Sequence, residues 1–279
     1  MSESSPQLSY VARVVRDFDR ERFVTALFAP SERREALLTL YAFNSEIARV
    51  RESVREPMAG MIRLQWWRDV LGHGAAGGAR HPIAEPLCRL IAEHGLALAS
   101  FERVLEGREA DLDSAAPADL DSAVAYADAT GGEVAVLAAR LLGGTGMDEA
   151  ARHVGIAWAL VGQCRALAFH LSIGRLTLPE AVLVAAGTDG AQVLAGKAPS
   201  AAVAAAVEAM AGRARHHLAE ARRHRPQDRT ALAALLPAVL AERHLAVLER
   251  AKWNPFDARV VVARSHPLRL AWANVLGRY

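Results

Sequence analysis

Cysteine is nearly missing from this chain. Its 279 residues include two, Cys88 and Cys164, too few for a disulfide framework or a zinc cluster and suited to a reducing compartment. A surplus of one charge is missing too. Lys plus Arg total 33 against 31 Asp plus Glu, a net +2, so no electrostatic footprint points to nucleic acid. Long apolar runs are also absent. The best, 154–164, is bounded by His153 and Arg165 and falls far short of the ~18 residues a bilayer span requires. The opening residues MSESSPQLSY have neither the apolar stretch of a secretory signal nor the Arg-rich amphipathic pattern of an organelle presequence. The expectation is a cytoplasmic protein with at most peripheral membrane contact.

Strand signals are sparse: Thr, Tyr and Ile are few and period-2 alternation is almost absent. What the chain has is Ala, Leu, Arg and Glu, the strong helix formers, with apolar residues recurring at helical spacing. That spacing predicts helices at about 7–28, 31–55, 57–72, 82–95, 98–112, 117–142, 147–173, 198–224, 229–251 and 257–277. Pro30, Pro57, Pro82 and Pro117 stand near starts, and Gly72, Gly143 and Gly174 near ends. Gly74–Gly78 and Thr188–Gly190 read as loops. With hydrophobic residues at 52% the chain can bury a real core, and no linker or internal repeat divides it. One all-α domain over residues 1–279 is expected, with 1–7 flexible. The 147–173 segment is apolar on nearly every face, which predicts a helix buried inside a bundle.

Catalytic signatures are lacking as well. The chain contains no GxxxxGK[ST], GxGxxG, HExxH, CxxC or GxSxG. Gly143-Gly144-Thr145-Gly146 reads as a turn between helices. Arg213, Arg215, His216, His217, Arg222, Arg223, His224 and Arg225 form a basic tract that reads as a solvated helix face, with weak contact to an anionic membrane surface as the other reading. Trp66, Trp67 and Trp158 read as core packing.

Two segments carry a resemblance. YAFNSEIARVRES at 41–53 and GIAWALVGQCRALAFHLSIGRLTLP at 155–179 resemble, in order, the two aspartate-rich signatures of squalene and phytoene synthases. The resemblance implies an all-α isoprenoid-synthase fold of at least eight helices around a central cavity, with residues 41–52 and 155–170 on facing helices. In that family each signature is a DxxxD, and carboxylates four residues apart share one helix face, where they hold Mg²⁺ against a prenyl diphosphate. Here the four aspartate positions fall on Ala48, Glu52, Ala166 and His170, and Thr177 replaces a tyrosine between Gly174-Arg175 and Leu178-Pro179. Alanine offers no ligand and neutral His is a poor one for Mg²⁺. The expectation is therefore no metal and no catalytic residue.

The same two segments closely resemble the branch of this family that supports assembly of respiratory complex I, in which the metal aspartates are likewise lost. That branch implies complex I subunits as partners. Two other readings keep the cavity: a head-to-head prenyltransferase with an altered, Mg²⁺-dependent metal site, and a protein that binds a prenyl or lipid diphosphate. Tyr41, Asn44, Glu46, Arg165, His170 and Arg175 are the candidate ligand-binding residues. For Arg165 two readings stand: a buried pair with Glu46 or Glu52 in place of the lost metal charges, or a bidentate hold on an anionic head group. His170 reads more readily as a hydrogen-bonded core histidine than as a ligand or base.

Overall fold

A computed structural model describes residues 8–74, 80–113, 115–224, 229–261 and 267–279. Among them there is helix and no strand, as the composition predicts. The N-terminal helices are α1 (Tyr10–Phe18), α2 (Arg20–Ala26), α3 (Ser31–Ala48), α4 (Val50–Ser53) and α5 (Pro57–His73). The middle of the chain forms α6 (Ala84–His94), α7 (Leu98–Glu109), α8 (Leu120–Ala127), α9 (Glu133–Leu141), α10 (Asp148–Arg165) and α11 (Leu167–Ser172). The rest comprises α12 (Glu180–Ala185), α13 (Gly190–Leu194), α14 (Ser200–Ala221), α15 (Leu232–Leu235), α16 (Pro237–Arg250), α17 (Ala258–Val261) and α18 (Pro267–Leu276).

Several long helices expected from periodicity are broken, each for a local reason. Asp19 interrupts 7–28, because its side chain accepts from the Arg22 backbone N–H and so caps α2. Asp119 caps α8 in the same way through Ser122, which moves the start from 117 to Leu120. Pro237 opens α16 and splits 229–251. Arg49 and Ala166 leave helical geometry at the ends of α3 and α10, and both breaks fall inside the two signature segments. The sequence reading also missed α12 and α13, and Gly190, read as loop, begins α13 under an Asp189 cap. Parts of the expected 74–78 loop and of the 257–277 helix, and Arg225, lie outside the described residues.

The bundle is built around α10, which packs on α9, α14 and α16 and on a π-helical turn at Asp128–Gly132. Backbone meets backbone where this turn crosses α10. A Cβ on Gly155 would overlap the carbonyl oxygen of Gly131, so glycine is required there. Val154, Ile156, Leu160 and Val161 of α10 are buried as expected. Phe169, included in that apolar helix, is 45% exposed on α11. The tryptophans divide: Trp67 is buried at 2% exposure, Trp66 is 38% exposed, and Trp158 is half-buried facing a cavity. Trp67 is core as expected, and Trp158 packs against the core from the cavity side.

Candidate functional site

The ends of α3 and α10 face one another across a cavity of about 270 Å³. Ala48, Arg49 and Glu52 line one wall, Trp158, Gly162 and Gln163 the opposite one, and His170 and Arg175 close the floor. Arg49, where α3 breaks, lines the cavity, and the break at Ala166 follows the wall residues Gly162 and Gln163 on α10. The juxtaposition of residues 41–52 and 155–170 is therefore as the sequence predicts.

A polar network fills the floor. Asp111, in a 3-10 turn at Ala110–Leu112, is 3% exposed. Its Oδ2 accepts from Arg108 Nη1 at 3.2 Å, and its Oδ1 from the Tyr126 hydroxyl at 2.7 Å. Arg175 Nη2 reaches the same Oδ1 at 2.5 Å. Arg108 also donates to Tyr126 at 2.9 Å and to Asn44 Oδ1 at 3.4 Å, which anchors the network on α3. One carboxylate thus holds two buried guanidiniums. Burial opposes the Arg108 charge, but Tyr126 and Asp111 outweigh it and hold the group above its ordinary pKa. Higher in the cavity Arg22 pairs with Asp19 at 3.0 Å, and Arg49 pairs with Glu52 at 3.6 Å while lying over the Phe18 ring. Four arginines and two carboxylates line the space, so its character is cationic.

His170 sits beside this floor with a buried Nδ1 that has no hydrogen-bond partner. It is not the hydrogen-bonded core histidine expected. Burial, with Arg175 and Arg108 nearby, pushes its pKa down to about 4. A ring with a lower pKa folded than unfolded binds fewer protons in the folded state, so its contribution is intact above pH 6.5 and is lost as pH falls toward 4. The loss amounts to about 3 kcal/mol. Denaturant midpoints measured at pH 7 and pH 4 are expected to differ by correspondingly less in His170→Phe than in the parent.

The candidate residues do not all belong here. Asn44, Glu52, His170 and Arg175 line the cavity, as does Ala48. Tyr41 is buried beneath the Arg22 guanidinium at 5.5 Å from the ring centroid, and burial pushes its hydroxyl up to about 12. It is a core residue. Glu46 points to the far side of α3 and meets His81 at 3.4 Å. Arg165 turns away from both Glu46 and Glu52, and its Nη1 bonds Glu21 Oε2 of α2 at 2.8 Å. Glu21 Oε1 accepts from His244 Nε2 of α16 at 2.6 Å. Burial disfavours the Glu21 charge, but the His244 hydrogen bond and the Arg165 charge hold its carboxyl below the usual range. The expected pair of Arg165 with Glu46 or Glu52 does not form; its carboxylate partner is Glu21, which lies in neither signature. The described part of the basic tract lies on α14 and the turn after it, and its four arginines are paired: Arg213 with Asp121, Arg215 with Glu249, Arg222 with Glu242 and Arg223 with Glu220. His217 is half-buried with its Nδ1 2.8 Å from that of His153.

Magnesium clusters need several hard oxygen donors converging on one point. Ala48 and Ala166 provide none. Asp19, Glu52 and Asp111 are each engaged by arginine, and no group of three or more His, Cys, Asp or Glu among the described residues is arranged to hold a metal ion. The residues present do not fit such a cluster. Arg108, Asp111 and Tyr126 were not singled out in the sequence; the only local signal is the i,i+3 spacing of Arg108 and Asp111.

A family model described as squalene/phytoene synthase matches residues 15–266. The mouse (Mus musculus) protein named NADH dehydrogenase (ubiquinone) complex I, assembly factor 6 is 30% identical over 88% of this chain and 75% of its own length. A presqualene diphosphate synthase of Rhodopseudomonas palustris is 29% identical over 55% of this chain and 56% of its own. The crystal structure of the squalene synthase HpnC from Alicyclobacillus acidocaldarius superposes with a TM-score of 0.76 at 22% identity. It covers 88% of this chain and 94% of that one.

Proposed function

Because the chain belongs to the squalene/phytoene synthase family, we propose that it uses that scaffold for a task other than prenyl transfer: supporting the assembly of a respiratory NADH dehydrogenase. The observation that carries the reading is the match over 88% of the chain to a protein named as a complex I assembly factor. The chemistry of the cavity supports it. Ionising an allylic diphosphate requires the leaving group's charge to be neutralised. At the two signatures the donors that would hold metals for this are replaced by two methyl groups, a ring with its pKa pushed down to about 4 and a carboxylate held by Arg49. No metal cofactor takes part in this reading. Complex I subunits are the partners and nucleic acid is not. No helix among the described residues is long and apolar enough to cross a membrane, and the protein acts from the cytoplasm, peripheral to the inner membrane.

A second reading is favoured by one observation. Arg108 and Arg175 remain beside the cavity with His170 Nδ1 unpartnered, a set of groups suited to an anionic head group. In that reading the protein holds a prenyl or lipid diphosphate without converting it.

Deleting the gene separates these readings from prenyl transfer. Assembly support predicts reduced NADH:quinone oxidoreductase activity in membranes, with carotenoid, squalene and hopanoid content unchanged. Normal activity together with missing C30 or C40 isoprenoids would make the protein a prenyltransferase.

A further inference from the structure

Helix α18 is amphipathic in an unusual sense: its inner face is packed and its outer face is apolar as well. Leu270 and Ala273 are buried against Leu236, Val239 and Leu240, and Arg229 donates to the Val275 carbonyl at 3.1 Å. Tyr279 then ties the C-terminus to α14, its hydroxyl donating to the carbonyls of Ala221 at 2.8 Å and His224 at 2.5 Å. The helix is therefore held in one orientation. On the other side Leu268 is 85% exposed, Trp272 67% and Val275 64%, with Leu276 at 39%. Positions 268, 272, 275 and 276 fall on one stripe at helical spacing. Nothing in the chain covers it among the described residues.

The border of the stripe decides what suits it. Arg269 and Arg278 are exposed beside it, and neither has an ion-pair partner among the described residues. Arg243 of α16 lies close enough to Arg269 that burial and the Arg269 charge lower its pKa, against the opposing pull of Glu21. The carboxylate that lines the adjoining groove, Glu242, is already taken by Arg222. The free charge at the border is therefore that of Arg269 and Arg278, and it is cationic. A second copy docking by two-fold symmetry would set these arginines against themselves. A surface that offers apolar depth and dense negative charge matches both features, and a tryptophan at the boundary between them is the residue type such a surface favours.

We propose that the outer face of α18 docks on an anionic lipid bilayer, with Leu268, Trp272 and Val275 entering the interface and Arg269 and Arg278 meeting the head groups. This deepens the peripheral-membrane part of the function proposed above by naming the surface responsible. Binding to lipid is independent of respiratory activity. Failure here would leave the assembly role standing, and normal NADH:quinone oxidoreductase activity in a deletion strain would leave the lipid surface standing.

Co-sedimentation of the full chain with vesicles of phosphatidylcholine alone, and of equal parts phosphatidylcholine and phosphatidylglycerol, tests it. The expected result is binding to the mixed vesicles only, weakened by salt. Leu268→Glu with Trp272→Glu should abolish binding, and Arg269→Glu with Arg278→Glu should weaken it by about tenfold or more. Tryptophan quenching by brominated lipid should be lost in Trp272→Phe, a variant whose exposed position leaves folding intact. Equal binding to neutral vesicles, no binding at all, or quenching that persists in Trp272→Phe would overturn the proposal. So would a wild-type dimer that Leu268→Glu dissociates.

Discussion

Asp111→Ala is expected to destabilise the protein by about 4 kcal/mol, the largest single effect among the cavity residues. The carboxylate is 5% exposed as a side chain, and the two guanidiniums it holds, Arg108 and Arg175, are at 14% and 13%. Removing it leaves two largely shielded cations without their shared carboxylate, and it frees the Tyr126 hydroxyl that donated to Oδ1. A buried charge stripped of its partner costs more than the pair gained by forming. Asp111→Asn keeps both donors an acceptor and should lose less. Asp111→Ala combined with Arg175→Met should recover part of the loss, because one orphaned charge goes with the carboxylate. Chemical denaturation reads all three. As a control, Glu85→Ala removes an exposed pair with Arg89 and should change stability by no more than about 0.5 kcal/mol. Equal effects at Asp111 and Glu85 would mean that the network contributes nothing.

Arg165→Met is expected to cost about 3 kcal/mol, through helices rather than through the cavity. Arg165 of α10 and His244 of α16 meet on Glu21 of α2, so one carboxylate joins three elements that are distant in sequence. Adding Glu21→Gln should recover part of the loss. Adding Glu46→Gln or Glu52→Gln should instead give strictly additive effects, since those carboxylates are paired with His81 and Arg49. Recovery with Glu46→Gln, and none with Glu21→Gln, would return Arg165 to the partner first expected for it.

These two networks mark the boundary of what the sequence discloses. Helical period and the lack of strand formers are properties of neighbouring residues, so the all-α class and most helix positions are legible directly. Segments as short as α12 and α13 give no full period to read, and both were missed. Breaks at Asp19 and Ala166 depend on a cap or on tertiary packing, which an apolar count does not register. The facing of the two signatures was legible through resemblance, because a motif carries its family's geometry with it. Partners were not. Glu21 lies 144 positions from Arg165, and Asn44 lies 64 from Arg108. Glu21 stands outside both signatures, in a helix expected only from apolar periodicity, so nothing local ties it to Arg165. His170 was misread for a related reason: whether a histidine finds a partner depends on what the fold brings to its Nδ1, and here the neighbours are arginines.

Ala48 and Ala166 carry a different kind of information. A missing side chain is legible from sequence without any structure, and the cavity that Ala48 lines holds four arginines rather than converging carboxylates. Under the proposed function this cavity does not activate a prenyl diphosphate. Incubating the purified protein with Mg²⁺ and farnesyl or geranylgeranyl diphosphate tests it most directly. The expected result is no squalene, phytoene or released diphosphate above a boiled control; turnover to any of these would overturn the proposed function.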